Sequence, residues 1–485
     1  MKTKIRIVSV VLALFLLIPL IAACATTGDN GEETTTAAST GATTGDMTES
    51  DTKPVPALPD VKYTGYTFNV ANGFVNETKY TTNAIMADSL SAEPINDALY
   101  MRTTTIEEQF DIEIVDSDVS VDGVINSINA GDDVYTIATI NLSNIMRAVN
   151  MGCAVDFYTI DSIDLSNPWW DQNAEQKLSF ASRLYYTFSD MLITGLDNSR
   201  ATYFNKTMLA SLDLENPYEL VASGKWTIEK MQQMAAVAVS DLNGDGAINQ
   251  LDRVGIANNA TTFYEAMLTG CDAEIMKQGS DGIPYFTCFD EKEFFVNVYQ
   301  TLMQLFTSDN CYYITNTDTG RSMFINGQTL FTVDTLYMAS KSRQEDIDFG
   351  ILPVAKYDEA QEKYWHVSPN PHAMMVPVTT FDLSRTGVLL EALSYYSSAY
   401  YSDLALIPAY YELALKAKSA TDTESAEMLT LIHDHISYVI KIVGTSFSGA
   451  IFNHFAAGNM NIASLIEKQE KVMLKMLQDT INKLK

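Results

Sequence analysis

The pattern of apolar and polar positions becomes regular at Tyr66. Tyr66-Thr67-Phe68-Asn69-Val70 alternates with the two-residue period of a strand and runs into the turn-prone pair Asn72-Gly73. Helical spacing follows over 95–110, a short strand over 112–115, a helix over 121–129 and a strand over 134–140, closed by Asn141. This β-α-β-α-β order predicts a parallel sheet with helices on its faces. Further on, 329–333 and 349–354 read as buried strands, and 383–485 is mostly helical, ending in a long amphipathic helix over 460–485. No internal repeat is found.

The first 59 residues follow a different rule. Lys2, Lys4 and Arg6 precede an apolar run from Ile7 to Ile21, which ends at Ala22-Ala23 and meets Cys24. Charge, then a short apolar stretch, then small residues is the order of a secretory signal, and about 15 apolar residues are too few for a membrane span of roughly 20. With the cysteine directly after Ile21-Ala22-Ala23, the segment resembles a bacterial lipobox, which implies a lipid on Cys24 and anchoring on the extracellular face of the cell membrane. Residues 25–59 hold no aromatic residue and are rich in Thr, Gly, Ala, Ser, Asp and Glu, so they are expected to stay unfolded as a tether with a reach of roughly 30 Å. Residues 1–23 are thus read as signal peptide and 24–59 as lipidated tether.

The remaining stretch of about 425 residues exceeds one core and suits two domains. With 25 Tyr and 21 Phe it has material for cores and for a cleft. No later apolar run approaches 18 residues, so the body is expected to be soluble. Residues 1–23 carry three positive charges and no negative one, so their removal takes the net charge from −30 to −33. A chain this acidic, with no basic stripe, is expected to bind no nucleic acid. Beyond Cys24 there are Cys153, Cys271, Cys288 and Cys311 without a C-x-x-C; one bridge among the last three and buried free thiols remain open alternatives.

Several short runs carry a family resemblance. Val134-Tyr135-Thr136-Ile137 follows Asn129-Ala130-Gly131-Asp132-Asp133; Phe204-Asn205-Lys206 and Gly224-Lys225-Trp226-Thr227-Ile228-Glu229-Lys230-Met231 come next; Gly350-Ile351-Leu352-Pro353 leads to Tyr357-Asp358-Glu359-Ala360-Gln361 and Tyr364. In this order and spacing they resemble the family 1 type of extracellular solute-binding proteins, which serve carbohydrate-type ABC importers, and most closely the long lipoprotein members of Gram-positive anaerobes. The resemblance implies an α/β, two-lobed, periplasmic-binding-protein-like (Venus flytrap) fold with a helical C-terminal region. It places 60–197 and 328–370 in the N-terminal lobe, and 198–327 and 371–485 in the C-terminal lobe. It further implies a monomer that closes on a solute, carbohydrate above all, and presents the closed form to an ABC permease.

Sugars expose C–H faces and hydroxyl edges, which suits aromatic platforms beside Asp, Asn and Glu. Trp169 and Trp170 in an irregular polar stretch, and Trp365 before a proposed crossing, are the candidate platforms. Asn72 and Asp334 are added by the rule that strand carboxyl ends face ligand crevices. Trp226, at a helix start, is read as packing. The sharpest local motif is Asp241 to Asp252, with oxygen-bearing side chains at Asp241, Asn243, Asp245, Asn249 and Asp252, a glycine at loop position 6 and the Ala247 carbonyl at position 7. That is the calcium-loop pattern, and a structural Ca²⁺ pinning the end of the helix over 226–239 is expected. Asp252 stands where Glu is usual, and no exiting helix follows. An exported glycan-active enzyme and a non-transport lipoprotein scaffold are the rival readings. Against catalysis, Gly444-Thr445-Ser446-Phe447-Ser448-Gly449 lacks nucleophile-elbow spacing, and neither H-E-x-x-H nor a P-loop occurs.

Overall fold

Parallel strands with helical crossovers need helix stops that are sharp, and the first lobe supplies them. In the computed structural model, which describes residues 53–73, 84–308, 312–342, 345, 347–415, 423–441, 443 and 445–484, the helix Pro94–Phe110 ends at Asp111 in the left-handed region, whose N–H bonds back to the Glu107 carbonyl. Strand β2 (Ile112–Asp118) follows at once and pairs in parallel with β1 (Tyr66–Asn72). Ser120 then caps the helix Val121–Ala130 by accepting the Gly123 N–H, and Gly131 ends it at positive φ. Strand β3 (Ile137–Asn141) pairs with the other edge of β1. The expected β-α-β-α-β order is therefore present. Cys24 and the signal and tether regions up to residue 52 lie outside the described residues, as does Cys311.

The second sheet contains β4 (Arg200–Asn205), β5 (Val254–Asn258), β8 (Tyr312–Ile314), β9 (Thr329–Thr335) and β10 (Phe349–Leu352), in the order β10-β4-β9-β5-β8. A hairpin of β6 (Met276–Gln278) and β7 (Pro284–Phe286) stands beside it. Two crossing strands, β11 (His366–Ser368) and β13 (Ile436–Tyr438), pair in parallel apart from either sheet. Strand β12 (His372–Met375) closes the first sheet, in the order β12-β3-β1-β2.

These pairings correct the expected lobe boundaries. β9 and β10 pair with β4 and so belong to the second lobe, whereas the expectation put 328–370 in the first. Conversely β12 joins the first lobe, and the helices Leu383–Ser397 and Leu406–Leu415 pack on Pro94–Phe110. The helices Thr445–Ala456 and Ala463–Leu484 pack on the second lobe. The physical reason is that a run such as Thr329–Thr335, buried on both faces, satisfies either sheet equally; only its register partners decide.

Candidate functional site

The floor of the interlobe cavity is built from the crossing strands and the segment that follows β13. Ser437 of β13, followed by Val439 and Lys441, faces a cavity of about 260 Å³, together with Val367 of β11. Ser143, at the start of the helix Leu142–Asn150 in the first lobe, forms one rim. Glu265, Leu268 and Thr269, along one face of the helix Ala260–Gly270 in the second lobe, form the wall opposite, and Phe452 of the helix Thr445–Ala456 completes it. The cavity is thus made of both lobes and of the strands that join them. Its size is close to the lower bound for small-molecule pockets, about 300 Å³.

Charge in this cavity is only partly spent on the protein itself. Glu274 accepts from Lys177 at 2.6 Å and from the Ser437 hydroxyl at 2.6 Å. Burial pushes its carboxyl up, but the Lys177 ammonium outweighs this and holds it below the ordinary value. The Lys441 ammonium donates to Ser143 Oγ at 3.0 Å and to Asn370 Oδ1 at 3.4 Å, which ties it to the first lobe. Burial pushes that ammonium down while the Glu265 charge works against the shift. Glu265 is different: its carboxylate accepts no hydrogen bond from any described residue. Burial raises its pKa, with Arg200 and Lys441 lowering it in part.

Known structures share this architecture. The UspC protein of M. tuberculosis aligns with a TM-score of 0.54 at 13% identity, over 86% of this chain and 100% of that one. The GacH receptor of Streptomyces glaucescens, solved with acarbose, gives 0.53 at 13% over 86% and 100%. A cyclo/maltodextrin-binding protein complexed with maltotetraose gives 0.53 at 14% over 87% and 96%. The chain has the two-lobed solute-binding-protein fold. No protein-family model and no curated protein matches it.

The solute-binding-protein fold puts the expected ligand residues in other places. Trp169 and Trp170 are buried in the first lobe, and their indole N–H groups donate to the two oxygens of Glu391 at 2.8 Å each. Trp365 is half-buried, with the Lys177 ammonium 4.6 Å and the Lys363 ammonium 5.3 Å from its ring centre. Asn72 is buried and bonded to Asp116 and Thr139 on the flanking strands. Asp334 is held by Arg321, through Nε and through Nη2 at 2.7 Å, with Arg200 at 3.9 Å. None of the five lines the interlobe cavity. Trp226 is packed, with its N–H on the Pro353 carbonyl at 2.9 Å. Cys153, Cys271 and Cys288 are buried free thiols.

The loop Asp241 to Asp252 is closed by its own hydrogen bonds. Asp241 accepts from the N–H of Gly244 and Gly246, and Asp245 from that of Ala247. Asp252 is buried and accepts from the N–H groups of Leu242, Asn243 and Asn249. Burial favours its neutral form, but those three donors outweigh this and its carboxyl sits below the ordinary value. The donor set is all oxygen, as Ca²⁺ requires, with Asn243, Asn249 and the Ala247 carbonyl completing it. Among the described residues, however, no three acidic, His or Cys side chains meet at ligating distance. The fit to calcium is therefore one of donor type and order along the chain.

Proposed function

We propose that this chain is the lipid-anchored extracellular receptor of an ABC importer and takes a small neutral carbohydrate in the interlobe cavity. The observation that carries this reading is the unspent carboxylate of Glu265, facing a cavity whose rim on the first lobe holds the Lys441 ammonium. A carboxylate accepts two hydroxyl donors, an ammonium offers donors to a third oxygen, and Phe452 offers an apolar face. A solute that spans from Glu265 to Ser143, to which the Lys441 ammonium is bonded, touches both lobes, which is the condition for favouring the closed state. The charged residues lining it, Glu265 and Glu274 against Lys441, leave one negative charge, which the Lys177 ammonium bonded to Glu274 from outside the lining balances; this favours an uncharged ligand. The fold's likeness to receptors solved with acarbose and maltotetraose supports a sugar and supports binding over turnover. The lipobox-like Cys24 and the tether support the membrane address and the encounter with a permease.

The test is a thermal-shift screen with mono- and oligosaccharides, including maltose, maltotetraose and acarbose. At least one should raise the melting temperature saturably, by RT ln(1 + [L]/Kd), and be recovered unchanged. Glu265→Gln should weaken that ligand by about 10- to 100-fold, the size of a charge-assisted hydrogen bond of about 1.5–3 kcal/mol. Silence across the panel, or conversion of the sugar, contradicts the proposal.

Calcium in the Asp241–Asp252 loop is part of the same proposal, as a structural ion and not a participant in binding. At a hundredfold excess over its Kd, Ca²⁺ should add about 2.7 kcal/mol of stability relative to chelator. Equal melting temperatures in calcium and in EDTA remove it.

A further inference from the structure

The gap between the lobes continues past the interlobe cavity. Along the helix Leu142–Asn150, Ser143 lines the cavity, whereas Met146 and Val149 line its continuation. On the hairpin, Met276 of β6 gives way to Pro284 of β7, and Ile440 lines both spaces. The continuation measures only about 10 Å³, no more than one water needs, about 10–15 Å³. Tyr185 from the first lobe and Leu484, at the end of the helix Ala463–Leu484 that packs on the second, bring it down to that size. The cleft is therefore plugged on this side by side chains from both lobes.

Near the plug the lobes are fastened to each other. Phe180 and Arg183 exchange backbone hydrogen bonds at 2.7 and 3.0 Å and enclose a two-residue turn, with Ala181 (φ 49°) and Ser182 (φ 63°) in the left-handed region. Asn-Gly is the usual pair for such a turn, so Ala-Ser is strained there and depends on its surroundings to hold it. The turn belongs to the first lobe, through Leu184, whose carbonyl accepts from the Phe157 N–H, and Thr187, which pairs with Met374 of β12. It meets the tip of the β6–β7 hairpin. The Ala181 N–H donates to the Gly282 carbonyl at 2.9 Å, and Gln278 Nε2 to the Ser179 carbonyl at 2.7 Å. The Lys177–Glu274 ion pair at 2.6 Å adds a third tie between the same two stretches of chain. Both partners in the Ala181–Gly282 bond are main-chain groups, and Gly282 sits at φ 73°, so that tie depends on the shapes of the two turns.

We propose that this plug and clasp make the cleft blind at one end, so that the site takes a carbohydrate by a terminal unit and lets the rest extend only the other way. The inference rests on the reading of the interlobe cavity as a carbohydrate site. A cleft open at both ends accepts an internal stretch of a glycan in any register. One closed by Leu484, Tyr185 and Pro284 stops the first unit against a wall. Leu484 is thereby a specificity-determining residue: it sets where the bound chain must end.

Two measurements on the full chain test this. In Val149→Cys, with the wild type as the blank for its own cysteines, iodoacetamide should react slowly, because the thiol is reached only by local opening. Adding Leu484→Ala should speed labelling by about tenfold or more. Adding Met473→Ala, a comparable loss at a buried position of the same helix outside the gap, should not. Fast labelling of Val149→Cys alone, or equal acceleration by both additions, overturns the plug. The second measurement compares, by thermal shift, maltose with maltose methylated at its reducing end and maltose methylated at its non-reducing O4. One cap should be tolerated and the other should weaken binding by about 10- to 200-fold, the worth of one added carbon in a filled pocket. Leu484→Ala should recover part of that loss. Both caps tolerated, or both rejected, overturns recognition by one end. Failure of all three sugars to bind overturns it as well and counts against the carbohydrate reading itself; the labelling then shows separately whether the cleft is sealed.

Discussion

Asp334→Ala is expected to destabilise the protein by about 3 kcal/mol while leaving solute affinity unchanged. The carboxylate is 3% exposed and accepts from two nitrogens of Arg321, from the Thr335 N–H at 2.7 Å, and attracts Arg200. Breaking a buried pair costs about 3–5 kcal/mol because the partner charge is left behind without its counter-charge. The lower end applies here, since the Arg321 side chain keeps 33% exposure and can turn to water. Asp334→Asn retains an acceptor for Thr335 and should lose about half as much. Chemical denaturation should show a lower midpoint with an unchanged slope. Unchanged stability with weakened sugar binding would instead make Asp334 a ligand contact.

Glu391→Ala should be costlier still, about 3–5 kcal/mol. Glu391 is 4% exposed and serves three donors, Trp169 and Trp170 at 2.8 Å and Asn167 at 2.6 Å. Each buried donor left without an acceptor costs about 1–3 kcal/mol, and the void adds to that. Burial already raises the Glu391 carboxyl, against which the three donors work. Equilibrium unfolding measures the loss, and a change under 1 kcal/mol would mean the two indoles find other acceptors or water. The affected sugar affinity, if the fold survives, should be that of the wild type.

Residues 66–141 were legible because their elements are short and strongly periodic: Asn141 closes β3 as read, and Ser120 and Gly131 cap the helix Val121–Ala130 in the structure. The partner sheet of 329–335 and 349–352 was not, because long-range register leaves no local trace in an all-buried strand. The tryptophans misled for a related reason. An indole in a polar stretch looks the same whether its N–H meets a sugar or a buried carboxylate some 220 residues away, and only the fold brings Glu391 to Trp169. The cavity residues did carry a signal of another kind. Glu265 is the sole charged residue in the helix Ala260–Gly270, and Lys441 the sole charge in Ile436–Val443. A lone charge in an apolar run is costly to bury unless something pairs with it. Lys441 is paired with Ser143 and Asn370, whereas Glu265 accepts no hydrogen bond from a described residue, which is why the proposed ligand contact is placed on it.

The most direct measurement is a crystal structure of the protein with the carbohydrate that gives the largest thermal shift. The sugar should lie between Ser143 and the helix Ala260–Gly270, its hydroxyls within hydrogen-bond distance of Glu265 and the Lys441 ammonium, with one ring face on Phe452. Density against Trp365, or anywhere outside the cavity floored by Val367 and Ser437, would contradict the account.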